Sequence, residues 1–360
     1  MGEVEEDVLT TVGEAGERAL LKEIGAILGP SSDPAVVLGF GDDAAVLSPS
    51  ERMEHVLTCD VQVEGIHFEP RRHGFRNWGS RAMTAALSDL AAMGASPRWC
   101  LVSLGLRQDL SLADFQALNH GLVAAADAAG AAVVGGNISL AGERCLCDVS
   151  ALGEIEPGRA VARGTAETGQ LIIVTGYPGR AAAGLALSRV GEPETDAQKQ
   201  TVRAYLEPRA RIALGRELAR RRLATAMTDI SDGLLRDLGN ICEASGRGAV
   251  VRTSCLEDHA LAEAAASAGC RAEEFLLGAS DDYELLFSAA RGAWATVAEL
   301  AEDLGEGPLR VIGEIREGPG LFLEKEDGTL TRVEPEGWDA VKTAGEQGSE
   351  GAGEQRGRES

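Results

Sequence analysis

The sequence predicts an α+β protein in two units, each a mixed sheet packed with helices. Three observations lead there. The chain has 360 residues, enough for two cores of ordinary size. Runs of strand length alternate with runs of helical spacing, yet several strands follow one another across tight turns, which disfavours a doubly wound parallel sheet. No fixed-period repeat is present, which sets solenoids aside. The expected division is residues 1–155, residues 156–344, and a disordered tail, 345–360, that offers no apolar anchor.

The elements follow in order. Residues 14–28 place Leu20, Leu21, Ile24, Ile27 and Leu28 on one side of a helix, stopped by Gly29-Pro30. Short strands at 35–40 and 44–47 flank Asp42 and Asp43, and a third apolar run, 55–61, carries Asp60. Residues 76–93 repeat Trp78, Ala82, Ala86, Leu90 and Met93 at helical spacing, with Gly94 as the stop and Pro97 beyond it. Ser88 and Asp89 interrupt that apolar helix. A strand at 99–106, a helix at 112–129, a strand at 131–134 running into Gly135-Gly136-Asn137, and an alternating strand at 144–155 complete the first unit.

In the second unit a linker-like stretch, 158–169, precedes a buried strand at 170–175 and a helix at 179–190 rich in Ala and Gly. A helix at 208–223 and a strand at 224–228 come next. Asp229-Ile230-Ser231-Asp232-Gly233 then leads into a helix bearing Leu234, Leu235, Leu238, Ile241 and Cys242. Strand, helix and strand follow at 283–289, 293–304 and 309–315.

The formal charge of −23 argues against a nucleic-acid partner, because a phosphate backbone needs a basic patch. An anionic substrate fits only where cations mediate. The seven cysteines form no Cys-x-x-Cys pair and read mostly as small buried hydrophobes of a reducing compartment. The acidic N-terminus lacks a signal-peptide core, and no apolar stretch approaches the roughly 18 residues of a membrane span. A cytoplasmic protein without a membrane partner is expected.

Gly39-x-Gly41-x-x-Ala44 matches a dinucleotide fingerprint, with Asp60 near the spacing of a ribose-binding acid. The match fails physically. A helix must start at those glycines to meet the pyrophosphate, whereas Ser48-Pro49-Ser50 cuts the run short. Asp42 and Asp43 would also face the anion with no cation between them.

Acids recur instead at the ends of apolar elements: Asp42, Asp60 and Asp229, with Asp89 inside an apolar helix. Each has an ordinary reading: a turn for Asp60, a helix cap for Asp232, an ion pair with Arg81 or Arg98 for Asp89. Taken together they suggest a metal site, since buried carboxylates are paired or coordinate metals, and hard oxygen ligands suit Mg²⁺ beside nucleotide phosphates. Gly135-Gly136 either lets backbone approach a phosphate or makes a plain turn. Arg163 is a phosphate partner or a solvated cation; His67 and Trp338 line a site or simply pack.

In series, these motifs resemble thiamine-monophosphate kinases. The resemblance rests on Gly41-Asp42-Asp43-Ala44, Thr58-Cys59-Asp60 with Glu64-Gly65-Ile66-His67-Phe68, and Leu87-Ser88-Asp89-Leu90-Ala91-Ala92-Met93-Gly94-Ala95. Val174-Thr175-Gly176 with Ala182-Ala183-Gly184-Leu185-Ala186, Asp229-Ile230-Ser231-Asp232-Gly233-Leu234 and Asp282-Tyr283-Glu284-Leu285 continue it, in family order as far as Trp338. It implies the two-domain α+β fold of aminoimidazole-ribonucleotide synthetase, a homodimer joined through the N-terminal halves, and transfer of the ATP γ-phosphoryl group to thiamine monophosphate. It further implies Mg²⁺ held by Asp42, Asp60, Asp89, Asp229 and Asp232 with Thr58 nearby, ATP contacts from Gly136, Asn137, Arg163 and Ser231, and substrate contacts from His67, Asp281 and Trp338.

The sequence departs from the family pattern at three places. Asn137 stands where an Asp is usual, Cys59 replaces a hydroxyl residue, and Gly278-Ala279-Ser280-Asp281 replaces Ser-Gly-Gly-Glu. The competing expectation is an ATP-binding relative of the same fold with another acceptor or without catalysis.

Overall fold

The computed structural model describes residues 11–41 and 44–338. Asp42, Asp43 and the expected tail at 345–360 lie outside the described residues.

The first half opens with α1 (Val12–Ala15) and α2 (Glu17–Leu28), divided at Gly16, whose φ of 72° no continuous helix accommodates. The single helix expected over 14–28 is therefore two. β1 (Val36–Leu38) and β2 (Val46–Leu47) pair as a small antiparallel hairpin. Next come β3 (Glu54–Val63), α3 (Pro70–His73), α4 (Phe75–Met93), β4 (Ser96–Leu106), α5 (Leu112–Ala128), β5 (Ala132–Leu140) and β6 (Leu146–Ile155). Four of these strands form a sheet in the order β3-β6-β4-β5, parallel only at β4–β5.

Helices α4 and α5 cover one face of that sheet and cross where both are glycine. A Cβ at Gly79 would lie 2.0 Å from the Leu118 carbonyl oxygen, and one at Gly121 would lie 2.0 Å from that of Arg76. The α4 helix is buried nearly all round, because the second half closes over its remaining side; Val161 N–H reaches back to the Met93 carbonyl at 3.1 Å. The sheet's other face leaves Leu57, Cys59, Val61 and Leu101 exposed.

The second half comprises β7 (Leu171–Thr175), α6 (Arg180–Val190), α7 (Asp196–Leu206), α8 (Ile212–Arg220), β8 (Ala226–Asp229), α9 (Leu234–Ser245), β9 (Gly248–Arg252), α10 (His259–Ser267), α11 (Ala272–Leu277), β10 (Leu285–Ala289), α12 (Trp294–Leu304), β11 (Leu309–Arg316), β12 (Gly320–Glu324) and β13 (Leu330–Val333). Its seven strands run β13-β12-β9-β11-β7-β10-β8, parallel only at β12–β9. Residues of α9 pack on one face through Leu234, Leu238 and Ile241 against Ile172, Val174 and Leu286. The opposite face, with Ile173, Leu285 and Phe287, joins α8, α12 and α4 in one continuous core. A mixed-sheet α+β architecture is what the sequence predicted.

Several elements differ from expectation. Gly135, Gly136 and Asn137 lie inside β5 rather than in a turn after it. The helix expected over 208–223 spans only Ile212–Arg220. Helix α7 was not anticipated. Its buried stripe is thin, and the signal lies instead in its capping box, where Thr195 and Gln198 satisfy each other's backbone N–H groups. β10 begins at Leu285, because Tyr283 takes a φ of 54°.

Candidate active site between the two sheets

Alternation along β3 turns Thr58, Asp60 and Gln62 toward α4. There Asp89 accepts a hydrogen bond from Thr58 Oγ1 at 2.5 Å. The preceding α4 residue, Ser88, points to the other half and donates from its hydroxyl to Asp229 Oδ2 at 2.7 Å. One turn of α4 thus joins a carboxylate-bearing strand of each sheet. The ion pairs expected for Asp89 do not form. Arg81 pairs with Asp281, and Arg98 with Glu154 and Asp33.

Asp229 ends β8 at 1% exposure, and its Oδ1 has no hydrogen-bond partner among the described residues. Burial, followed by the charge of Asp89, holds its carboxyl far above the usual carboxylate range. Burial also raises Asp89, against the opposing pull of the Thr58 hydrogen bond and of Arg163. Asp60 is pushed up to about 7 by burial and then by Asp89, Asp148 and Asp232. These acids therefore feel one another across the domain boundary, and a cation between them would relieve all of them. Among the described residues, no three His, Cys, Asp or Glu side chains close into a ready-made metal cage.

The loop after β8 is organised by Asp237, which the sequence reading did not single out. Its Oδ2 accepts three successive backbone N–H groups, from Ser231 (3.1 Å), Asp232 (3.1 Å) and Gly233 (3.2 Å). Gly233 rather than Asp232 is the N-cap of α9, and Asp237 in the first turn reaches back to the loop. The Ser231 backbone N–H is therefore already used, which leaves its side chain for a ligand. An acid three or four residues into a helix after a Ser-Asp-Gly loop is the signal that could have identified Asp237.

Trp338 N–H donates to the Asp232 carbonyl of this loop at 2.9 Å, and the Trp338 ring meets the His67 ring edge-on at 5.9 Å. His67 Nδ1 accepts from Val63 N–H at 3.1 Å. Burial lowers its pKa most, while Asp281 pulls the other way. Asp281 forms an ion pair with Arg81. The fold thus pairs His67 with Trp338 and sets Asp281 near enough to act on His67. Arg163 sits in a short 3₁₀ turn, exposed, near enough to lower both Asp89 and Asp229.

Gly136 and Asn137 stand apart. Gly136 is aligned with Val102 and, through β6, with Asp60; a Cβ there would lie 1.9 Å from the Val102 carbonyl oxygen, so sheet packing alone requires glycine. Asn137 is in register with Ser103, Asp148 and Val61, which puts it on the face opposite Asp60. Cys59 shares that face and donates to Asp148 Oδ1 at 3.0 Å. Among the described residues no helix is long and apolar enough to cross a membrane.

Comparison with known proteins places this geometry in a family. Residues 41–155 match the AIR synthase related protein N-terminal domain, and residues 167–326 match the corresponding C-terminal domain. The thiamine-monophosphate kinase of Synechococcus elongatus is 34% identical over 334 residues, covering 89% of this chain and 94% of that one. A crystal structure of thiamine-monophosphate kinase from Stenotrophomonas maltophilia superposes with a TM-score of 0.74 at 33% identity, covering 87% of this chain and 96% of that one. A structure of AaThiL complexed with AMPPCP and TMP gives a TM-score of 0.70 at 30% identity, covering 92% of this chain and 99% of that one. With two sheets meeting across α4 and likeness over nearly its whole length, the chain belongs to the thiamine-monophosphate kinase family.

Proposed function

We propose that this protein transfers the γ-phosphoryl group of ATP to the phosphate of thiamine monophosphate, giving thiamine diphosphate and ADP. The observation that carries the reading is the meeting of Asp60 and Asp89 with Asp229 across α4, in a chain of this family. Phosphoryl transfer needs positioning and charge neutralisation more than a protein nucleophile. A phosphate oxygen of the acceptor forms the new bond to the γ-phosphorus, and the bond to the β–γ bridging oxygen breaks, its electrons leaving with ADP.

The residues fit Mg²⁺. The donors are hard carboxylate oxygens, the buried Asp229 Oδ1 lacks a partner among the described residues, and the acids raise one another's pKa. Asp42, Asp60, Asp89, Asp229 and Asp232, with the Thr58 hydroxyl, would hold the ions. When bound, Mg²⁺ neutralises phosphate charge. Thr58 and Ser88 orient the carboxylates, and Asp237 fixes the loop bearing Ser231 and Asp232. Arg163 and Ser231 serve ATP in this reading; Gly136 and Asn137, set apart by the sheet register, are left out of it. His67, Asp281 and Trp338 serve the acceptor.

The protein acts as a homodimer. The support is the uncovered apolar sheet face, where Leu57 is 72% and Val61 48% exposed. Because Asn137, Cys59 and Asp148 share that face, a second subunit laid on it would lie beside Asn137. Light scattering should return twice the chain mass; a monomer that retains full turnover contradicts the dimer. For the activity, purified protein with ATP, Mg²⁺ and thiamine monophosphate should form thiamine diphosphate, and chelation should stop it. ATP binding without product would favour the non-catalytic reading.

A further inference from the structure

Among the fully buried side chains of the described residues one is a cation, Arg81, in the middle of α4 and at 0% exposure. A guanidinium is expensive to bury unless its donors are satisfied and its charge is matched. Its NH2 forms the ion pair with Asp281 and also donates to the Asp281 carbonyl at 3.2 Å, and its NH1 donates to the Tyr205 carbonyl, while its buried Nε has no hydrogen-bond partner among the described residues. Its plane lies against two rings, with Cζ 4.5 Å from the centre of Tyr205 and 5.2 Å from that of Tyr283. Every one of these partners belongs to the second half, while Arg81 belongs to the first.

The segment it grips is held by other means at each neighbouring residue. Ser280 Oγ accepts from Ala182 N–H at 3.3 Å, and Asp282 accepts from Gly179 N–H (2.7 Å) and Ala181 N–H (2.9 Å). Tyr283, at a φ of 54° unusual for a bulky residue, accepts at its hydroxyl from Gln62 of β3 at 3.3 Å. Unlike Ser280 and Asp282, Asp281 receives no backbone N–H from its own half among the described residues. Its carboxylate, about a third exposed, is oriented by Arg81.

We infer that Arg81 is a positioning residue for acceptor recognition: it fixes the part-exposed Asp281 carboxylate, so that the acceptor pocket it forms with the paired rings of His67 and Trp338 presents a fixed negative charge. Such a pocket suits a cationic heteroaromatic ring, since a carboxylate and ring faces both favour positive charge. The inference rests on the proposed function and assigns acceptor affinity, distinct from ATP affinity, to a residue that touches neither ligand.

The test is Arg81→Lys, which keeps the charge but loses the fork that binds carboxylate and carbonyl together. KM for thiamine monophosphate should rise about tenfold or more, with KM for ATP within about twofold of the parent and kcat little changed. Binding of thiamine monophosphate, read from quenching of tryptophan fluorescence, should weaken in parallel. Equal rises in both KM values, or a loss confined to kcat, would overturn the inference and mark Arg81 as purely structural. If Arg81→Lys does not fold, Asp281→Asn removes the same charge pair from its exposed side and must give the same selective shift; an unchanged acceptor KM there also overturns it. If the parent neither binds nor phosphorylates thiamine monophosphate, the proposed function fails and this inference with it. If the parent binds and both variants bind as tightly, the inference alone fails.

Discussion

Ser88 Oγ donates to Asp229 Oδ2 at 2.7 Å, joining the central helix of the first half to the last residue of a strand in the second. Its neighbour Asp89 accepts from Thr58 at 2.5 Å, so two adjacent residues align carboxylates from opposite halves. The bond leaves Asp229 Oδ1 as the free end of an otherwise enclosed carboxylate. Ser88→Ala should let Asp229 rotate and weaken cation binding. A hydrogen bond to a buried charged group is worth about 1.5–3 kcal/mol, so the Mg²⁺ concentration for half-maximal turnover should rise roughly tenfold or more. Ser88→Thr should restore most of it. A Mg²⁺ titration of the three proteins checks this.

Asp237 gathers three backbone N–H groups on one oxygen. Asp237→Ala should therefore cost about 3 kcal/mol or more in stability. Because the loop also carries the Asp232 carbonyl that receives Trp338 N–H, the Trp338 fluorescence should shift as well. Denaturant unfolding, followed by emission in the native baseline, measures both effects. Asp237→Asn, which keeps an acceptor oxygen, should lose less.

The pH dependence follows from acids whose folded values are raised. Asp60 and Asp237 stand at about 7 in the fold, both through burial first, against 3.8 for an ordinary aspartate. Between those values the folded protein binds more protons than the unfolded chain, so stability falls as pH rises through the window. His67 and His73, both lowered by burial, act in the opposite sense only below their ordinary value of 6.5. From pH 6.5 to 8, without divalent cations, the melting temperature should fall by about a few degrees. Saturating Mg²⁺ should shrink that fall. A rise in melting temperature over the same interval would contradict the arrangement of acids.

Much of the fold and part of the site can be read directly in the sequence, for identifiable reasons. Trp78, Ala82, Ala86 and Leu90 announce α4 because an apolar face repeats at helical spacing. Asp60, Asp89 and Asp229 stand out because carboxylates are rare within apolar runs. The Gly135-Gly136 pair misled, since a glycine required by a neighbouring carbonyl 1.9 Å from its missing Cβ looks the same in sequence as a glycine required by a turn. Asp237 goes unmarked, and Arg81 is matched to Asp89 rather than Asp281, because their roles depend on partners that only the folded loop and the opposite half supply. For Asn137 the residue type suggests a weak ligand, while register shows which sheet face it occupies.

The most direct test of the central claim, that Asp89 and Asp229 from separate halves act in one phosphoryl-transfer site, is a double-mutant cycle on thiamine diphosphate formation. Asp89→Asn and Asp229→Asn should each lower kcat by about a hundredfold or more, and the double variant should be scarcely worse than either, because groups that act as a unit are not additive. Losses that multiply in the double variant, or a single variant with near-parent turnover, would contradict it.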